Sequence, residues 1–356
     1  MTTTLLEARY RTVLRLLPAY YRRAREEEMV ETYLWDVDRD TQDQSRPTLG
    51  EVASVAALAL RTRFATPGAP RPYALFGTAA RQFALFAVLL QAATAVVEGI
   101  LELTWASTHG RAQWEMFTSG FTGHGLRSGI VEAALWTLPL LWTAGYFALL
   151  HDRRRLARVS VLLAAVPTLW PLLEPLLDAS VPPEPAYATA TALLAWLSAL
   201  AVCAAHHRDA PPASLPAGSP GLLFTACCVV MGGSVVLLPE AADSVWAPAT
   251  GFLAGSLGWL LWRTLRADRD TGQGAEQGAD PSAGQSTACG AVALAVLGLL
   301  ILVVRVAALE PWLDVPVPAV FLGSALGQGA ALALLTAILA LVGRRGRLAR
   351  RVSGGR

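Results

Sequence analysis

The chain of 356 residues has no lysine, since all 29 of its Lys+Arg positions are arginine. That usage reads as the mark of a GC-rich genome, and no mechanism is drawn from it. Charge is scarce as well: 16% of residues are charged and 54% hydrophobic, which excludes an ordinary soluble protein and makes an integral membrane protein the first reading. The only four cysteines, Cys203, Cys227, Cys228 and Cys289, fall in apolar segments without CxxC spacing. Neither a disulfide framework nor a zinc site is thereby indicated. No P-loop, HExxH, GxSxG or dinucleotide fingerprint occurs, so an ATPase subunit is excluded, and no catalytic residue, cofactor or metal is expected. The first 70 residues hold no apolar run close behind a basic start, so no cleavable signal peptide is expected and the amino terminus should stay in the cytoplasm.

What is present begins with a small helical module at residues 1–65. Leu6, Tyr10, Val13, Leu14 and Leu17 recur at helical spacing, Pro18 interrupts, and a second pattern resumes with Met29, Tyr33 and Leu34 on one side. A third helix opens with Thr48 and Glu51 at capping-box spacing. The basic "YYRRAR" is nearly cancelled by the "EEE" that follows, which argues against nucleic-acid binding and for a protein partner or a membrane surface. Residues 66–81, with the Pro-rich "ATPGAPRPY", read as a linker.

Apolar runs near 20 residues then recur, the length that crosses about 30 Å of hydrocarbon as a helix. Eight are expected: 82–104, 129–150, 159–177, 187–205, 219–238, 246–264, 289–309 and 319–342, followed by a basic tail at 343–356. Arginine concentrates in "DRRRLAR", "HHRD", "RTLRADRD" and "RRGRLARR", after every second span, which places both termini in the cytoplasm of a cell-membrane protein. The expected fold is therefore all-α and polytopic, with the lipid bilayer as its first partner. "LEPLLD" at 173–178 and "LEPWLD" at 309–314 lie 136 residues apart and close equivalent spans. Either the two sets of four spans are a duplicated unit, or Glu-Pro and Asp merely recur where helices leave a bilayer.

Polar residues inside the spans are the candidates for function. Glu98 lies about a turn short of the far end of the first span, and Arg305 at a matching depth in the seventh. A buried charge in a membrane is costly unless paired, so the two are expected to form an intramembrane network with Gln91 and Glu132. The alternative is a pair of side chains that snorkel to the interface and never meet. Glu102, Glu174, Asp178, Glu310 and Asp314 should make the outer face acidic. Gly251 with Gly255, and Gly323 with Gly327, place small residues on one helix face and predict close packing. His109 and His124 flank Trp114 and Glu115 in the longest outer loop at a spacing that matches no zinc site.

Three stretches carry a family resemblance: Leu16-Leu17-Pro18-x-x-Tyr21-Arg22, Glu27-Glu28-Met29, and Leu60-Arg61-Thr62-Arg63. The first 65 residues thereby resemble the HAAS or permease-prefix type of cytoplasmic module seen in many actinobacterial multi-pass membrane proteins, often encoded beside PadR-like regulators. Glu26 departs from the glycine frequent before the Glu-Glu-Met pair. The resemblance implies a location and a regulatory or accessory role, with no catalytic residue. The expectation is thus a non-enzymatic accessory, signalling or scaffold protein that contacts a partner through residues 1–65, with a secondary transporter or permease component as the alternative. Oligomeric state is left open.

Overall fold

Helices account for every regular element of the computed structural model, which describes residues 5–35, 46–64, 69–122, 129–177, 186–207, 210–211, 219–237, 247–272, 281–309 and 319–353. Two units divide the chain: Met1–Ala80 with Ala204–Pro211, and Arg81–Cys203 with Pro212–Arg356.

The first unit holds α1 (Leu5–Leu14), α2 (Ala19–Trp35) and α3 (Leu49–Arg63). Tyr10, Leu14, Leu17, Val30, Val55 and Ala59 are buried together, and the Tyr10 and Tyr33 rings stack with centroids 3.9 Å apart. Helix α3 starts with the capping box its sequence predicts: the Glu51 amide donates to the Thr48 hydroxyl at 3.2 Å, and the Thr48 amide donates to the Glu51 carboxylate at 2.6 Å. The acidic run after "YYRRAR" has partners in this unit. Arg11 grips Glu27 through two bonds of 2.9 and 2.8 Å and donates to Glu7 at 3.0 Å, while Arg25 pairs with Glu28 at 3.1 Å. Arginine hydrogen bonding holds the Glu27 carboxyl below its ordinary range, and the same bonds push the Arg11 guanidinium up.

Helix α4 (Arg71–Thr108) is continuous for 38 residues, about 57 Å at roughly 1.5 Å per residue. It starts inside the expected linker, because Pro72 sits in the first helical turn, where proline lacks only a hydrogen bond that would be unmade anyway. It also runs past the expected end of the first span. From Ala84 to Leu90, and again at Ala92 and Ala93, its residues are buried on all sides. A helix apolar all round in this way is an interior helix.

Beyond it lie α5 (Arg111–Phe121), α6 (Gly129–Thr137), α7 (Leu141–Leu150), α8 (Arg154–Ala165), α9 (Trp170–Leu177) and α10 (Ala186–Ala205). The set is completed by α11 (Pro220–Val236), α12 (Ala247–Gly272), α13 (Pro281–Ala308) and α14 (Ala319–Ser353). Six helical segments among the described residues are long and apolar enough to cross a membrane: Arg71–Thr108, Gly129–Leu150, Arg154–Leu177, Ala186–Ala205, Ser286–Ala308 and Leu322–Arg345. Helix α11 is apolar but only 17 residues long, and α12 turns polar after Trp262. Helix α14 continues through most of the stretch expected as a tail.

Two of these segments are interrupted. Leu138–Leu140 forms a 3₁₀ turn around Pro139 between α6 and α7, and Val166–Leu169 forms another around Pro167 between α8 and α9. Proline lacks the amide that would continue the α-helical ladder, and it clashes with the preceding turn. A kink in the second case follows from Pro167, Pro171 and Pro175; the break at Pro139 was not anticipated. The two turns lie against each other, so both helices lose their regular ladder at one level.

Among the described residues the closest helix pairs are α7 with α8, α11 with α12, and α13 with α14. Glycines set the approach. A Cβ at Gly145 would sit 2.6 Å from Val161 Cγ1, and one at Gly343 would sit 2.7 Å from Val292 Cγ2. A Cβ at Gly251 would lie 3.4 Å from the Val230 carbonyl and 3.5 Å from Ser234 of α11, and one at Gly255 would lie 3.7 Å from Val230 Cγ1. Among the described residues, a Cβ at Gly323 or Gly327 would meet nothing within 4 Å.

Gly145→Ala should therefore destabilise the protein by about 1 to 3 kcal/mol through overpacking, and Val161→Ala should restore most of the loss. Gly323→Ala should be neutral or better. Unfolding midpoints in one detergent check all three, and equal midpoints for Gly145→Ala and wild type would contradict the packing.

Candidate functional site

The expected intramembrane network divides between two places. Arg305 is 2% exposed within α13, while Glu98 lies on an exposed side of α4 just past that helix's buried stretch. A charged neighbour of Glu98 is Glu102, one turn on along the same helix. Equal depth brings two side chains to one level but does not turn them toward each other. Gln91 is half-buried on α4. Glu132 belongs to a different cluster.

That cluster is a pocket of about 590 Å³ in the second unit, at the far end of α4. Glu102, Trp105 and Ala106 of α4 form one wall, and Phe117, Gly120 and Phe121 of α5 form another. Glu132, in the first turn of α6, and Glu174, near the end of α9, complete it. An acidic side chain at a helix start faces the amide dipoles there, an arrangement those dipoles favour. Helix α5 passes so close that a Cβ at Gly120 would lie 3.0 Å from Glu132 Cγ. The Trp136 indole donates to the Glu102 carboxylate at 3.2 Å and meets the Phe121 ring edge-on at 6.2 Å. Phe117 and Phe121 pack 5.2 Å apart along one side of α5. Carboxylates and ring faces thus share one concave surface, a chemistry that attracts positive charge.

The sequence around α5 reads as part of the longest outer loop, whereas the structure makes it a helix. Its signal was Trp114, Phe117 and Phe121 at helical spacing among polar residues, the pattern of an amphipathic helix at an interface. His109 stacks on Trp105 with ring centroids 3.4 Å apart. His124, Asp178, Glu310 and Asp314 lie outside the described residues.

The first unit carries a groove of about 640 Å³ lined by Tyr21, Arg25, Met29, Trp35, Glu51 and Ser54 among others. Trp35 is 89% exposed at the end of α2. The Tyr33 hydroxyl donates to Glu51 at 3.2 Å, and burial together with that bond pushes it up to about 12. It therefore remains a neutral donor at any physiological pH. His206 and His207, which follow α10, are buried and belong to this same unit.

Comparison with known proteins finds no matching family model, no matching curated protein and no matching solved structure.

If Glu98 and Arg305 act independently, Glu98→Gln and Arg305→Gln should have additive effects on unfolding free energy, with coupling within about 0.5 kcal/mol. A double-mutant cycle in detergent measures this, and coupling above about 1 kcal/mol would restore the pair.

Proposed function

We propose that the protein is a non-enzymatic accessory or signalling component of the cell membrane whose amino-terminal module contacts a protein partner. One observation carries the reading. Residues before the first apolar span build a core of their own, and beside that core lies an aromatic groove edged by the nearly fully exposed Trp35. Large aromatics beside a few charges are the composition of binding hot spots. The resemblance of residues 1–65 to HAAS or permease-prefix modules agrees with this role. Helix α4 leaves this unit and reaches the acidic pocket in the other, and the stretch after α10 returns to it. Binding at the module is thus linked through the chain to two of the apolar helices.

In this reading α11 and α12 also cross the bilayer, making eight spans with both termini in the cytoplasm. Arginine in "DRRRLAR", "HHRD" and "RTLRADRD" supports the orientation. An impermeant maleimide should then label Ser107→Cys in intact cells and leave Ser54→Cys unlabelled until lysis. The reverse pattern would invert the topology.

A photo-crosslinking residue at Trp35 should yield a discrete adduct in cells, and deleting residues 1–65 should abolish association with the protein so captured. An unchanged partner set and phenotype after the deletion would sink the reading. The proline breaks at Leu138–Leu140 and Val166–Leu169 favour a second reading, a secondary transporter, because broken helices facing each other are where such proteins place their sites. Solute flux into proteoliposomes that survives deletion of residues 1–65 would favour it over the first.

A further inference from the structure

We propose that the pocket at the end of α4 binds an organic ammonium ion, a positively charged nitrogen carrying apolar substituents. The inference is independent of the partner reading, since it concerns the second unit alone.

Two features of the walls set the ligand class. Glu102 and Glu132 come from different helices and supply negative charge to one cavity, with Glu174 lining it as well. Trp105, Met116, Phe117 and Phe121 supply most of the remaining apolar surface, beside the polar side chains of Gln113 and Ser119. Ring faces carry negative potential and attract cations, most strongly when the site is partly shielded from water. A calcium or magnesium ion requires six or more oxygen ligands in one shell, and among the described residues no three His, Cys, Asp or Glu side chains stand close enough together to hold a metal ion. An alkylated ammonium needs few hydrogen bonds and gains from each apolar contact. A volume of about 590 Å³ suits a small organic molecule.

The mounting of the walls fits the same occupant. Glu132 lies on α6 and Glu174 on α9, helices of nine and eight residues, each separated from the rest of its apolar segment by a proline-containing 3₁₀ turn. Below those turns α7 and α8 are locked by the close approach at Gly145. The carboxylates thus sit on helices distinct from the closely packed α7 and α8. Glu102 is oriented by Trp136, so one wall is set in place before the ligand arrives.

Such a nitrogen could belong to a free amine or to the headgroup of a phosphatidylethanolamine lipid, and the test separates them. The full chain is placed in nanodiscs of an uncharged glycolipid and titrated with benzyltrimethylammonium by equilibrium dialysis, with empty nanodiscs subtracted. Saturable binding of one probe per chain is expected, with none for benzenesulfonate. Glu132→Gln and Trp105→Ala should each weaken it about tenfold, as loss of one charge contact or one ring face would. Glu132→Asp should bind nearly as wild type, and Trp114→Ala, outside the pocket, should not differ. Phosphatidylethanolamine added to the nanodisc raises the apparent Kd if the headgroup is the natural occupant and leaves it unchanged if a free amine is. Non-saturable binding, equal binding of the sulfonate, or full affinity in a folded Glu132→Gln would each overturn the proposal. Should Glu132→Gln fail to fold, the comparison of ammonium with sulfonate on wild type decides alone.

Discussion

Burial of α4 on every side between Ala84 and Ala93 is the constraint around which the second unit is arranged. In a bilayer, apolar side chains gain little by leaving lipid for protein, so an interior helix is held by close packing rather than by exclusion from water. The sequence of α4 suits this: Ala84, Ala87, Ala92 and Ala93 let neighbours approach. Glycines on those neighbours do the same, with Gly290 beside Gln82 and Phe86, Gly232 beside Val97, and the helix's own Gly99 beside Trp136. Fixing α4 in the interior also fixes the end that carries Glu102 and Trp105, and hence one wall of the pocket.

The charges of the chain fall into two regimes. In the first unit, Arg11 and Arg25 use the acidic run of α2 for exposed pairs, which tune the surface more than they stabilise it. In the second, carboxylates gather at the end of the apolar helices around aromatic walls, where screening is weaker. Helix α4 begins in the first unit and carries Glu102 and Trp105 of the pocket near its far end in the second.

Much of the architecture was legible in the sequence because length and periodicity report it directly. Apolar runs gave the long helices, and Thr48 with Glu51 gave the start of α3. Direction was not legible. Spacing along the two spans gives Glu98 and Arg305 comparable positions, but successive residues of a helix turn by about 100°, so position along the chain does not say which way either side chain points. The spacing of Gly323 and Gly327 matches that of Gly251 and Gly255, but only the latter pair has a neighbour. Helix α5 was missed because its three aromatics are diluted by polar residues, so it reads as a loop until its facing side is known. Glu132, Glu102 and Glu174 lie far apart in the chain, and only the fold brings them to one pocket.

Oxygen accessibility of spin labels on the full chain in nanodiscs tests the interior position of α4 most directly. Labels at Val88 and Ala92 should be immobile and shielded from oxygen, while labels at Leu299 and Leu334, exposed on α13 and α14, should be mobile and accessible. Free oxygen access at Val88, with the chain folded, would place α4 against lipid and contradict the account.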